Sequence, residues 1–118
     1  CTFVNQDVMP YYGAAYTGIY NTADQCGVCL EVTGVKGTEI IQIADQCPTC
    51  HVNGDIDLSQ AAFDKIVGAQ SIGASPISWF EVACPWGNTP ISVQTQGSNE
   101  WYGKVIIFKH INRIKKVV

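Results

Sequence analysis

Six cysteines, arranged as Cys1, the pair Cys26-Gly-Val-Cys29, the pair Cys47-Pro-Thr-Cys50 and Cys84, constrain this chain of 118 residues more than any other feature. Two Cys-x-x-Cys pairs separated by seventeen residues match the spacing of a four-thiolate zinc site. That reading leaves Cys1 and Cys84 over, and the knuckles lack the flanking basic residues that nucleic-acid binding would want. A chain with six cysteines and only 14% charged residues suits an oxidising compartment and a disulfide framework better. Six thiols can pair in many ways, however, and spacing does not choose among them. A dithiol-exchange role for a Cys-x-x-Cys ring would be expected beside a βαβ pattern, which this sequence lacks.

The second cysteine pair sits in the segment richest in chemistry. Thr38 to Ala44 is rich in β-branched residues and reads as a buried strand, so Asp45 stands where a strand emerges. Downstream, Asp57 or Ser59 can N-cap a helix from Gln60 to Val67, whose apolar stripe is Ala62, Phe63 and Ile66. Asp57 is then either a cap or half of a carboxylate pair with Asp45. Asp55 is read as solvated, or as a turn former after Gly54. His51 is either a partner of the carboxylates or a solvated bystander.

Charge divides the chain. Residues 1–103 hold ten acids against Lys36 and Lys65, a balance of minus eight, whereas Lys104, Lys109, Arg113, Lys115 and Lys116 follow with no acid among them. The tail is read as a separate basic surface, either a contact for acidic polysaccharide or a solvated face, with His110 inside it. The acidic body argues against nucleic acid. Between the two lies Cys84-Pro-Trp-Gly-Asn-Thr-Pro90, dense in turn formers and read as a linker. Beyond it come strands at 91–96, 101–109 and 114–118, with a turn at Gly97-Ser98-Asn99. No apolar run approaches a membrane span, and the chain opens on Cys1 without a signal-peptide pattern, as a processed product would.

Aromatic residues add a second theme, because flat rings bury the apolar faces of sugars at low entropic cost. Tyr12, Tyr16 and Tyr20 recur at helical spacing and either line a groove or cover the core. Trp79 beside Phe80 reads as core, Trp86 as an interdomain wedge, and Trp101 with Tyr102 as strand aromatics of which Trp101 is the leading candidate for an exposed platform.

Taken together, Cys26-Gly-Val-Cys29-Leu-Glu-Val, the strand ending in Asp45, Cys47-Pro-x-Cys50, Asp55-Ile-Asp57-Leu-Ser59-x-x-Ala62-Phe63 and Trp79-Phe-Glu-Val-Ala-Cys84-Pro resemble the expansins and expansin-like proteins. The similarity runs on through Ser98-Asn-Glu-Trp101-Tyr102. The joint pattern is specific for the double-psi β-barrel superfamily, which also holds family 45 endoglucanases, barwin and rare lipoprotein A. The resemblance implies an all-β chain: a six-stranded double-psi β-barrel with one short helix over 1–85, a linker at 86–90, and the first strands of a β-sandwich carbohydrate-binding domain over 91–118. It also implies that a first barrel strand, with its groove threonine, lies before the residue matched by Cys1, and that the second domain runs on past Val118.

The family pairing would join Cys1 to Cys26, Cys29 to Cys84 and Cys47 to Cys50. By the same resemblance Asp57 matches the acid that expansins share with the endoglucanases, and Asp45 the other groove carboxylate; Tyr12, Trp101 and Tyr102 are the expected sugar contacts. The endoglucanase base belongs to the strand missing here. The function implied is therefore a secreted cell-wall protein that grips cellulose, another matrix glycan or peptidoglycan and loosens it without hydrolysis, with no cofactor or metal and no nucleic-acid or membrane partner. The alternatives are a structural component of an extracellular matrix, self-associating if the chain is complete as given, and a glycan-cleaving enzyme such as an endoglucanase or lytic transglycosylase.

Overall fold

Leu30 on one strand pairs with Ile41 on the next, and burying these side chains together with Val32 and Ile43, each worth about 2 kcal/mol, organises the molecule. The computed structural model describes residues 1, 8–20, 24–52, 54–96 and 104–114. Strand β1 is Tyr12–Tyr16, followed by the short helix α1, Thr17–Tyr20. β2 is Cys29–Thr33, β3 Thr38–Cys47, β4 Ile56–Leu58, α2 Gln60–Ile66 and β5 Ser78–Val82, with a 3-10 turn at Gln70–Ile72. Two further strands, β6 at Ser92–Gln96 and β7 at Lys104–Phe108, pair with each other.

The first five strands make one sheet in the order β4-β1-β3-β2-β5. β1 runs parallel to β3 while the other pairings are antiparallel. β2 and β3 turn at Gly34–Gly37, where the end of α2 presses directly on the turn: Lys36 N and Gly37 N donate to Ile66 O at 3.0 and 3.3 Å. A Cβ on Gly34 would stand 2.7 Å from that same oxygen, so only glycine allows the helix this close. Ala62, Ile66 and Val67 then complete the core over Val28, Val32 and Ile41, with Phe63, Ile77 and Trp79 packed at its margin.

The closed six-stranded barrel expected from the resemblance is, among the described residues, an open five-stranded sheet. Its edges β4 and β5 share no ladder; what links the two sides is a side-chain bond from Trp79 Nε1 to Gly54 O, 2.9 Å. Trp79 is thus half-buried core margin that also ties one end of the sheet to the other. The strand expected to end at Ala44 runs on to Cys47, because β1 supplies a parallel partner for residues 45–47 that local sequence does not reveal. Tyr12, Tyr16 and Tyr20 share no helix: the first two bound β1 and the third ends α1.

All six cysteines are bridged, Cys1 to Cys26, Cys29 to Cys84 and Cys47 to Cys50, so the zinc spacing is coincidental and the thiols of each Cys-x-x-Cys are consumed separately. The tail is less separate than its charge suggested. Arg113 reaches back to the first sheet, with ion pairs to Asp24 at 2.8 Å and Glu81 at 2.6 Å. His110 is buried with its Nδ1 2.8 Å from Asn112 O, and Cys84 N donates to Ile111 O. The expected turn at 97–99 and the ends of the last strands at 101–103 and 115–118 lie outside the described residues, and Ile114 is not in a strand. No helix among the described residues is long and apolar enough to cross a membrane.

Candidate functional site: a carboxylate groove across β1

A bulge makes the site. β1 pairs with β3 as Gly13↔Ile43 and then Ala14↔Asp45, so Ala44 is passed over. Without that extra residue Asp45 would follow Ile41 and Ile43 by strict alternation and point into the core. The bulge turns it to the opposite face, which is a recurring use of such irregularities. On the other side of β1, Ala14 pairs with Asp57 of β4. Asp45, Ala14 and Asp57 therefore form one row across three strands, and two strand spacings put the aspartate Cα atoms about 9.5 Å apart. The alanine between them leaves the floor of the row low.

Asp45 and Asp57 are both exposed and line one cavity of about 440 Å³ with Tyr12, Gly13, Val8 and Ser59. Gln46 N donates to Asp45 Oδ1 at 2.8 Å, fixing that carboxylate at the strand's outer edge. Asp57 is free of capping duty. Ser59 is the N-cap of α2 and accepts from Ala62 N, while exchanging bonds with Tyr12: Ser59 N donates to Tyr12 O at 2.8 Å and Tyr12 N to Ser59 Oγ at 3.3 Å. Tyr12 is 44% exposed on the groove wall.

Gly13 sets how closely β4 approaches. A Cβ there would stand 2.9 Å from Ile56 Cγ2 and 3.0 Å from Asp57 O, so the strand that carries Asp57 can lie against β1 only where there is no side chain. At the other end Tyr20, buried under the Cys1–Cys26 bridge with its hydroxyl 3.2 Å from Cys26 Sγ, lies close enough to Asp45 to feel its charge. Burial first, and then the Asp45 carboxylate, raise the Tyr20 pKa and keep the phenol protonated.

The other residues singled out in the sequence fall as follows. Asp55 is the turn former: its Oδ2 accepts from His51 N and Val52 N, both at 3.3 Å, closing the loop after the Cys47–Cys50 bridge. His51 is exposed on that loop. Trp86 is half-buried, with its indole nitrogen enclosed and unpartnered. Trp101 and Tyr102 lie outside the described residues. No group of three His, Cys, Asp or Glu among the described residues is placed to hold a metal ion. The small residues Gly13 and Ala14 and the bulge at Ala44 are what sequence reading missed; the Gly-Ala-Ala run between Tyr12 and Tyr16 was the available signal.

No family model matches the chain. Among curated proteins it is 28% identical over 113 residues to expansin-like protein 1 of Dictyostelium discoideum, covering 91% of this chain and 39% of the relative. To expansin-like protein 2 of the same organism it is 30% identical over 102 residues, covering 82% of this chain and 25% of the relative. Among solved structures, a mutant Clavibacter michiganensis expansin in complex with cellohexaose superposes with a TM-score of 0.80 at 35% identity, over 89% of this chain and 51% of that one. The apo form gives 0.79 at 36%. In sequence and in its largely β fold, the chain belongs among the expansin-like proteins. It spans less than half the length of these curated relatives and about half that of the solved expansins.

Proposed function

We propose that the chain is the polysaccharide-gripping part of a secreted expansin-like protein, which loosens wall or matrix glycan without cutting it. One observation carries this reading: Asp45 and Asp57 are brought into a single open groove, on a floor of Gly13 and Ala14, with Tyr12 as a wall. A groove with a low floor, an aromatic side and two acceptor carboxylates suits a flat sugar chain whose hydroxyls donate. Three disulfides fit an oxidising, extracellular setting, and the related Clavibacter expansin has been solved with cellohexaose.

Hydrolysis would ask for an acid enclosed by apolar surface and a second carboxylate to act as base or nucleophile. Both aspartates here stand open to solvent, which favours gripping over cleavage. We read residues 1–85 as a double-psi β-barrel domain and 91–118 as the opening strands of a carbohydrate-binding sandwich, joined by the linker 86–90. In that second part Trp101 and Tyr102 are the proposed sugar contacts.

The test is a pair of assays on the wild type and on Asp57→Asn. Creep or weakening of a cellulose network under load, with no new reducing ends, is expected for the wild type and should be lost in Asp57→Asn while the fold is kept. Release of reducing ends, or of anhydro-sugar ends from peptidoglycan, would make the protein a glycan-cleaving enzyme instead. Neither activity, together with ordered self-assembly, would make it a matrix component.

A further inference from the structure

The three disulfides differ in how far solvent reaches them. Cys29–Cys84 is shut in the core, its two residues 0% and 3% exposed, with Met9 Sδ lying 3.5 Å from Cys29 Sγ. Cys1–Cys26 is half-buried beneath the Tyr20 hydroxyl, which stands 3.8 Å from Cys1 Sγ and 3.2 Å from Cys26 Sγ. Cys47–Cys50 opens on a cavity instead. Both of its residues line a space of about 340 Å³, together with Thr49 and His51. The two ends of this bridge are unequal: Cys47 is 5% exposed at the end of β3, whereas Cys50 is only half-buried on the loop. Thr49 lies between them in sequence, and its Oγ1 is 3.7 Å from Cys47 Sγ.

We infer that Cys47–Cys50 is a site of thiol–disulfide exchange with a low-molecular-mass thiol, entered at Cys50. A thiolate in the cavity attacks Cys50 Sγ, and the bond from Cys50 to Cys47 breaks with its electron pair leaving on Cys47 Sγ. The products are a mixed disulfide on Cys50 and a Cys47 thiolate. The Thr49 hydroxyl donates to that thiolate, which makes Cys47 the better leaving group. A second thiolate then attacks the external sulfur of the mixed disulfide. Two small thiols are thereby oxidised to their own disulfide, the ring is reduced to a dithiol, and the two protons given up by the thiols end on the ring cysteines. The molecule stays folded meanwhile, because a ring of separation 3 restrains the chain far less than loops of separation 25 and 55. Charge selects the thiol. The cavity lining carries the carboxylates of Asp55 and Asp57 and, among the described residues, no Lys or Arg, so a cationic thiol enters more readily than an anionic one. The chemistry is independent of what the groove binds.

The test exposes the whole chain, without denaturant, to cysteamine, 2-mercaptoethanol and 2-mercaptoethanesulfonate at equal thiolate concentration. Free thiols are trapped with iodoacetamide at timed intervals, and peptide mass spectrometry maps the alkylated and mixed-disulfide cysteines while circular dichroism follows the fold. Cys47 and Cys50 should open about tenfold faster than the other four or more, with the first adduct on Cys50, the alkyl group on Cys47 and the dichroism unchanged. Cysteamine should react several-fold faster than 2-mercaptoethanesulfonate, and the gap should narrow in roughly 1 M salt. Thr49→Val should slow opening about fivefold, while Thr49→Ser, which keeps the hydroxyl, should react as the wild type does. Thr49 is exposed, so both variants keep the fold. The inference is overturned if Cys1–Cys26 or Cys29–Cys84 opens first, or if all three bridges open together as the chain unfolds. It is equally overturned if the first adduct sits on Cys47, if Thr49→Val reacts at the wild-type rate, or if the anionic thiol reacts as fast as the cationic one.

Discussion

At the scale of single residues, the structure separates two aspartate roles that spacing alone confuses. Asp57 and Ser59 both precede α2, and either is a good cap by type. Ser59 accepts from Ala62 N and holds Tyr12, so Ser59→Ala should cost about 1 kcal/mol, while Asp57→Ala should leave stability almost unchanged. Chemical denaturation of the two variants checks this, and an equal loss in both would return Asp57 to the role of cap. Gly13 is the more delicate position. Gly13→Ala forces a methyl against Ile56 and the backbone of Asp57, which should cost about 1 to 3 kcal/mol and displace one groove carboxylate, lowering both the melting temperature and glycan binding. Tyr20 adds a pH dependence. Its pKa is raised above the ordinary tyrosine value of 10.0, so its contribution is complete below that pH and is lost as the pH rises towards the folded value, where the unfolded chain ionises first. A stability profile between neutral and strongly alkaline pH should fall less steeply in Tyr20→Phe.

At the scale of elements, the disulfides differ in what they restrain. Cys29–Cys84 ties β2 to the end of the first module across a separation of 55 residues, whereas Cys47–Cys50 closes a loop of separation 3. Loop entropy gives about 4 kcal/mol for the first and about 1.6 kcal/mol for the second. Replacing both cysteines of each pair by alanine and comparing unfolding midpoints in guanidinium should reproduce that order. A larger loss for Cys47/Cys50 would mean that the loop carries contacts beyond its entropy. The elements themselves were largely legible. β3, α2 and β6 begin within a residue of where composition and periodicity place them, because each is dictated by its own apolar pattern. The bulge at Ala44 was not legible, since it depends on how β1, thirty residues earlier in the chain, lies alongside. The same cause misled the tyrosine spacing: residues four apart suggest a helix only if the chain between them is one, and Gly13 to Ala15 are claimed by β3 and β4 instead.

At the scale of the whole molecule, the basic tail is a tether before it is a surface. Arg113 spans Asp24 and Glu81 on the first module, with its side chain about a quarter exposed. Its pKa is raised, first by the hydrogen bond to Glu81, so the guanidinium stays charged throughout the working range. Paired at this exposure, the contact is worth about 1 kcal/mol. Arg113→Ala should lower stability by that much in dilute buffer, and the deficit should shrink in high salt as screening weakens the pairs in the wild type. Proteolysis between residues 86 and 90 should also quicken. A deficit indifferent to salt would show that packing rather than charge holds the tail.

The amino-acid sequence determined by itself which segments bury themselves, that the thiols belong to an oxidised framework, and which two carboxylates were worth pairing, because these follow from local pattern and residue chemistry. Tertiary structure alone decided that Asp45 faces outward, that Asp57 is released from capping, and that both stand in one row with a glycine-sized gap behind it. Those facts depend on strand register and on the closeness of neighbouring backbones, which no stretch of sequence carries alone.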